Sequence, residues 1–316
     1  AYEKLLSYQL RNKIIPGLIV GVVVLLVGWG IFNFSKNCIY KPLKANKLYK
    51  QGYALLQADE YPQSEMRFEE AVSYRISKKW FFNYARGYRE HKQYQRAGAM
   101  YQRILNYFKH NKAAGLEYAD MELNDLANYE KAEEIVRRQV LDYHINDADG
   151  ILKLGDIFLE WGTEKDPAKL ENAREQYATL IQLYKANDLY LSRMMRYFIR
   201  TDNLRNVIQM QKTFEPREKS LCSDDWAELS GYLLDKYYGP LAPSEEYLRY
   251  EIEGLRGLLL RAVKTGPSNP IAYYNLAKYF INSGENGSVE NTLQNAIECF
   301  NTVPSMKKRD IYKYID

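Results

Sequence analysis

Few residues in this chain have the type and spacing that chemistry needs. Its three histidines, His91, His110 and His144, stand far apart, the first two in segments that read as turns. No H-E-x-x-H pair, phosphate-cradling glycine loop or strand-to-helix nucleophile elbow occurs. Cys38, Cys222 and Cys299 are too widely spaced for a zinc site or a disulfide framework. They do not identify a redox compartment. Asn146-Asp147-Ala148-Asp149-Gly150 has the acids of a calcium loop but lacks the ligand ladder and the closing glutamate. Carboxylates favour helix N-termini, so those acids read as a helix-starting turn. Asn286-Gly287-Ser288 has the form of a glycosylation sequon and reads as a flexible loop. The expectation is no enzyme, no cofactor and no metal, which leaves recognition between macromolecules.

The elements that would carry such recognition announce themselves by repetition. Gly52, Leu55, Tyr61, Ser64, Phe68 and Ala71 are followed at matching offsets by Ala85, Tyr88, Tyr94, Ala97, Tyr101 and Ile104. Small residues fall where two helices would touch, and large apolar residues fill the gaps. The small position can be followed as Gly52, Ala85, Asp120, Gly155, Met194, Ser230 and Ala277, with spacings of 33, 35, 35, 39, 36 and 47. The two longest spacings hold the Gly162–Asp166–Pro167 turn and the Gly239-Pro240-Leu241-Ala242-Pro243 stretch. The third copy keeps Leu116, Leu123, Tyr129, Ala132 and Val136 but has Asp120 at the small position. The fifth, around Met194, Tyr197, Asn206 and Met210, departs furthest and is expected to be an irregular helical pair.

This pattern resembles the tetratricopeptide repeat (TPR), a helix–turn–helix family. The resemblance covers residues 44–304 and implies an all-α fold. An N-terminal transmembrane helix would be followed by a right-handed α-solenoid of about seven repeats, with a concave groove lined by the first (A) helix of each pair. Projecting those A helices places Asn46, Tyr49, Tyr53, Phe82, Asn83, Arg86, Arg89, Tyr118, Met121, Tyr274 and Lys278 on the concave face. Aromatics and arginine are enriched at binding hot spots. Co-chaperones of the family grip a C-terminal carboxylate with a lysine–asparagine clamp. Here only Asn83 agrees, because Tyr49, Tyr53, Ala114 and Tyr118 occupy the other clamp positions.

Ahead of the repeats, residues 14–34 run without a charge for the length of a bilayer core. The predicted organisation is a tail over 1–13, a transmembrane helix over 14–34 and a basic juxtamembrane linker over 35–44. The repeat array takes 45–304, and a further helix starts within 305–316. Gly17 and Gly21 form a small-xxx-small pair suited to helix packing and self-association. Lys41, Lys44, Lys47 and Lys50 read as a basic stripe for anionic lipid head groups. Residues 1–50 hold eight Lys/Arg against one Asp/Glu, and the remainder holds 36 against 39. The repeats are thus near neutral, and no nucleic-acid partner is expected. The chain begins at Ala1, and Lys307 to Ile315 reads as an A helix without its partner. Part of a longer protein is therefore expected, with another chain covering the end.

Lys/Arg counts flanking the apolar run, three before and five after, favour the C-side in the cytoplasm. Long domains translocate largely regardless of charge, and a short tail before one helix fits a signal-anchor. The expected site is the inner membrane with the repeats in the periplasm. The layout resembles that of spirochaete periplasmic flagellar collar proteins. That resemblance implies a scaffold for motor and stator assembly, with collar and stator proteins as partners. The alternatives are a translocon-associated TPR chaperone-like module of the inner membrane, and a cytosol-facing TPR import receptor.

Overall fold

The computed structural model describes residues 15–217 and 219–303. The tail 1–13, residue 14 of the apolar run, and the segment from Pro304 through the expected helix in 305–316 lie outside the described residues. All regular elements described are helical. The contacts divide the chain into two compact units, Ala1–Ala114 and Gly115–Asp316.

In the first unit α1 spans Ile15–Phe34 and continues through a π-helical turn, Ser35–Tyr40, into α2, Lys41–Gln57. The juxtamembrane segment 35–44 is thus helical, and Lys41, Lys44, Lys47 and Lys50 lie on the helix that leaves the apolar run. Pro42, in the first turn of α2, removes one backbone donor, and the π turn sits immediately before it. Among the described residues, Gly17–Gln57 is the one helix long and apolar enough to cross a membrane. Two hairpins follow from α2 with α3 (Tyr61–Tyr74) and α4 (Lys78–Glu90) with α5 (Tyr94–Tyr107). Their core is aromatic. Phe68 lies 4.9 Å from Phe81 and 4.6 Å from Tyr84, centroid to centroid, and 5.5 Å from Tyr49. The buried hydroxyls find backbone acceptors, Tyr84 donating to the Tyr49 carbonyl at 3.0 Å and Tyr49 to that of Arg75 at 2.8 Å. Burial pushes the Tyr49 phenol up to about 12. Gly52 sits where α2 meets α3 and α4. A Cβ there would stand 2.3 Å from the Tyr84 hydroxyl and 3.0 Å from the Ser64 carbonyl oxygen.

Helix α6 (Lys112–Asn124) contains the boundary between the units. In the second unit the partner of α6 is α7 (Tyr129–Ile135), prolonged by a π turn, Val136–Leu141. Four more hairpins follow. They are α8 (Ala148–Glu164) with α9 (Lys169–Tyr184), α10 (Asp188–Arg200) with α11 (Leu204–Phe214), α12 (Ser223–Tyr238) with α13 (Leu255–Thr265), and α14 (Pro270–Ser283) with α15 (Val289–Thr302). The A helix of each pair packs on the next along α8, α10, α12 and α14. Gly155 repeats the role of Gly52, since a Cβ there would meet the Tyr177 ring at 2.6 Å.

The hairpin of α10 and α11 is regular, where an irregular pair was expected. Its buried apolar contacts are Met195, Leu204, Val207 and Ile208; the expected Met210 packs against them partly buried, and Met194 and Asn206 are half-buried. Most turns use a non-glycine residue in the left-handed region, including Asp59, Lys92, Ala127, Asn146, Lys185 and Asp202. Several helix starts are capped by Asn or Asp side chains, at Asn128, Asp147, Asn187, Asn203 and Asn269.

Candidate protein-interaction surfaces

The acids suggestive of a calcium loop are accounted for locally. Asp147 caps α8 and accepts from the Gly150 amide at 3.0 Å. Among the described residues no three His, Cys, Asp or Glu side chains gather to hold a metal ion. The described chain thus presents helix faces, and the A-helix faces of the two units differ in kind.

In the first unit the face centres on Trp80, which the repeat pattern did not single out. Its indole N–H donates to the Asn46 side chain at 2.9 Å. Its ring stacks on Tyr49 at 5.7 Å and 13°, and lies 6.1 Å from Tyr53. Asn46 and Arg86 are exposed, and Tyr53, Asn83, Arg89 and Trp80 are half-buried. Burial, followed by the nearby Glu90, raises the Tyr53 phenol above its ordinary value. The Arg86 guanidinium lies over the Phe82 ring at 5.3 Å.

Four of the residues expected on the concave face are instead core. Tyr49 and Met121 are inaccessible to solvent, and Phe82 and Tyr118 are nearly so. The reason is volume: where small residues bring two helices close, a neighbouring large side chain fills the seam between hairpins and does not project into the groove. Tyr274 and Lys278 are half-buried on α14, and Lys278 pairs with Asp235 at 2.7 Å.

In the second unit, ion pairs bridge each A helix to the next. Lys153 on α8 reaches Asp120 on α6 at 2.7 Å, which explains an acid at the third small position. Arg193 on α10 reaches Asp156 on α8 at 3.0 Å, and the buried Tyr177 hydroxyl donates to the same carboxylate at 2.9 Å. Arg196 and Arg200, on the same side of α10, hold Asp225 and Glu228 on α12, with Arg196 2.7 Å from Asp225 and 3.4 Å from Glu228. Lys278 to Asp235 closes the series between α14 and α12. Burial alone would lower the Arg196 pKa. The Glu228 and Asp225 carboxylates outweigh it and hold the guanidinium above its ordinary value. Asp225 is 4 % exposed. Such pairs lock the register of neighbouring repeats, because a one-residue slip along either helix would bury an unpaired charge.

The basic stripe resolves differently from its sequence reading. At 100° per residue, a three-residue step turns the helix face back by about 60°, so Lys41 and Lys50 lie on opposite sides of α2. Lys50 also lies about 24 Å of helix rise beyond Phe34, past a head-group layer about 5–8 Å deep, for a helix normal to the bilayer. Lys44 lies over the Tyr74 ring at 5.5 Å. On the repeat side, Lys36 and Lys41 are the cations nearest the apolar run. Around Gly17 and Gly21 nothing lies within 4 Å of an added Cβ, so that small-residue face is open.

Stacked antiparallel helical pairs with small residues at the crossings define an α-hairpin repeat protein, a class that works through extended surfaces. No family model and no curated protein matches the chain. Two of the solved structures similar to it illustrate the likeness. One is YrrB, described as a TPR protein with an unusual peptide-binding site, at 11 % identity, covering 67 % of this chain and 97 % of that one, with a TM-score of 0.37. The other is yeast Tom70, at 12 % identity, covering 83 % and 77 %, with a TM-score of 0.28. Likenesses at that level assign neither a family nor an activity.

Proposed function

We propose that the protein is a membrane-anchored scaffold of the tetratricopeptide type, built for persistent protein–protein contact. The observation that carries this reading is the series of cross-repeat ion pairs in the second unit. Charges that a transient receptor would offer to its ligand are here engaged between neighbouring repeats. The anchor reading is supported by α1, whose large apolar side chains are exposed along its length, Leu25 at 74 % and Trp29 at 69 %. Twenty residues rise about 30 Å, the thickness of the hydrocarbon core. A surface of that size needs lipid or another helix against it, and Gly17 and Gly21 offer the closest approach for a second copy.

Within this class, the layout of one apolar helix ahead of repeat hairpins supports the finer reading of a flagellar collar component. Its repeats would lie in the periplasm, with collar and stator proteins as partners. The Trp80 face favours a second reading, a peptide-binding receptor or translocon-associated module, because a half-buried aromatic–amide surface suits short segments.

Two measurements test these readings. In a background with Cys38, Cys222 and Cys299 replaced by serine, Gly287→Cys places a thiol in the exposed 3-10 turn Asn286–Ser288, where a flexible loop was expected. Labelling by an impermeant maleimide when only the outer membrane is opened is the expected result. Labelling only after the inner membrane is breached would sink the collar reading. Mild-detergent purification should recover partner chains at fixed stoichiometry. Recovery of the chain alone, with micromolar peptide binding abolished by Trp80→Ala, would instead establish the receptor.

A further inference from the structure

A cleft in the second unit, remote in sequence from the Trp80 face, has a chemistry of its own. Lys219 and Leu221 line it from the loop after α11, and Gly257, Leu260, Arg261, Lys264 and Thr265 line it from α13, around a cavity of about 530 Å³. That volume lies in the range of ligand sites. Lys219, Arg261 and Lys264 bring three positive charges, and no carboxylate is among the described lining residues.

The three cations are not equivalent. Arg261 is fixed. It donates to the Glu215 carbonyl at 2.6 Å, and its guanidinium lies over the Trp226 ring at 5.0 Å, leaving other N–H donors for a ligand. Lys219 and Lys264 are exposed and form no ion pair among the described residues. Of the described carboxylates on the adjoining segments, Glu215 accepts from the Gln211 side chain and Glu251 pairs with Lys212. The wall is apolar. Leu221 is buried at its base, and Leu260 is 41 % exposed at its edge. At Gly257 nothing lies within 4 Å of an added Cβ, so the wall is open to an approaching chain.

We propose that this cleft is a docking site for an acidic peptide segment that carries an apolar side chain between its carboxylates. Lys219 and Lys264 attract the carboxylates, and the preset Arg261 fork binds one of them in two-pronged geometry. Leu221 and Leu260 take the apolar side chain. A free phosphate would use the cations and leave the leucines idle, so the apolar wall favours a peptide.

The test uses the full chain in detergent and a fluorescein-labelled acetyl-Glu-Leu-Asp-Leu-Glu peptide, read by anisotropy at low salt. Saturable binding is expected. Lys219→Glu with Lys264→Glu should weaken it at least tenfold, and the same double variant should bind a Lys-Leu-Lys-Leu-Lys peptide that the parent rejects. That gain separates a changed site from a lost fold. Replacing both peptide leucines by serine should weaken binding several-fold. Equal affinity of parent and double variant would overturn the proposal. So would indifference to the leucines together with full displacement by millimolar inorganic phosphate, which would show a simple anion site. Because Trp80→Ala leaves this cleft untouched, failure here and failure of the peptide-receptor reading are separately visible.

Discussion

Removing the carboxylate of Asp225 tests the ionic bracing of the second unit directly. Asp225 accepts from Arg196 at 2.8 Å through Nε and lies 2.7 Å from its Nη2, and Arg193 stands 4.0 Å away. Asp225→Ala leaves two guanidinium groups short of a counter-charge in a confined site. Stripping one partner from a fully buried pair costs about 3–5 kcal/mol. The Arg196 side chain is 23 % exposed and keeps Glu228 at 3.4 Å, so part of the charge stays compensated. The expected loss is about 2–3 kcal/mol, or roughly 5–10 °C in melting temperature for a unit of this size. Urea denaturation of the full chain followed by helical circular dichroism reads it without adding ionic strength. A cycle with Arg196→Ala should show coupling above about 1 kcal/mol. Glu134→Ala is the control, because its pair with Lys131 is 53 % and 39 % exposed and should be worth under about 0.5 kcal/mol. If Asp225→Ala behaves like the control, the cross-repeat pairs do not brace the unit.

Gly52→Ala should destabilise by about 1–3 kcal/mol through overpacking against Tyr84 and the Ser64 carbonyl. Gly257→Ala, with open space around its Cβ, should raise stability by up to about 1 kcal/mol through helix propensity, and thermal melts of the two variants should move in opposite directions. Glu122 is 7 % exposed, and burial raises its pKa above the ordinary value in spite of Asn128 and Lys131. A carboxyl raised on folding favours the fold when protonated, and that contribution fades as pH climbs through the folded pKa. Glu122→Gln should therefore be more stable than the parent at pH 7, and the gap should close as pH falls towards about 4.5, which pH-dependent urea melts would show.

The hairpin count and the core were legible because apolar periodicity reports buried contacts. Gly52 and Gly155 were found as crossing residues by their position in the repeat, and the structure gives each a steric reason. The binding face was much less legible. A projection that marks a position as groove-facing does not distinguish Tyr49, which fills the seam between hairpins, from Tyr53, which stays partly open. Trp80 was missed because it sits five residues before the small position Ala85, at a site where the repeat pattern expects nothing. The arginines of α10 had a signal in plain view, with Arg193, Arg196 and Arg200 falling on one helix face. That signal went unread because the copies were aligned on apolar and small residues, and this copy carries its A-to-A contacts in charge.

The A-helix seams of the two units therefore differ in kind, aromatic in the first and ionic in the second, although the B helices of the first unit also pair Arg96 with Glu65 and Arg103 with Glu69 and the second unit has its own apolar core. Hairpins of the first unit meet through Phe68, Phe81, Tyr84 and Tyr49, contacts that added salt leaves intact or strengthens. A helices of the second unit meet through pairs whose side chains keep about 6–29 % of their exposure at Asp120, Lys153, Asp156, Arg193, Arg196 and Asp225. Partly buried pairs are screened less than surface pairs, though not negligibly, since the Debye length falls from about 10 Å at 0.1 M to about 3 Å at 1 M. Hydrogen exchange at 0.1 and 1 M sodium chloride should thus show faster opening of α8, α10 and α12 at the higher salt, with the A helices α2 and α4 unchanged or slower. Uniform behaviour of both sets would mean that apolar burial carries the second unit as well. The register-locking role given to its ion pairs would then fall, and with it the observation on which the scaffold reading rests.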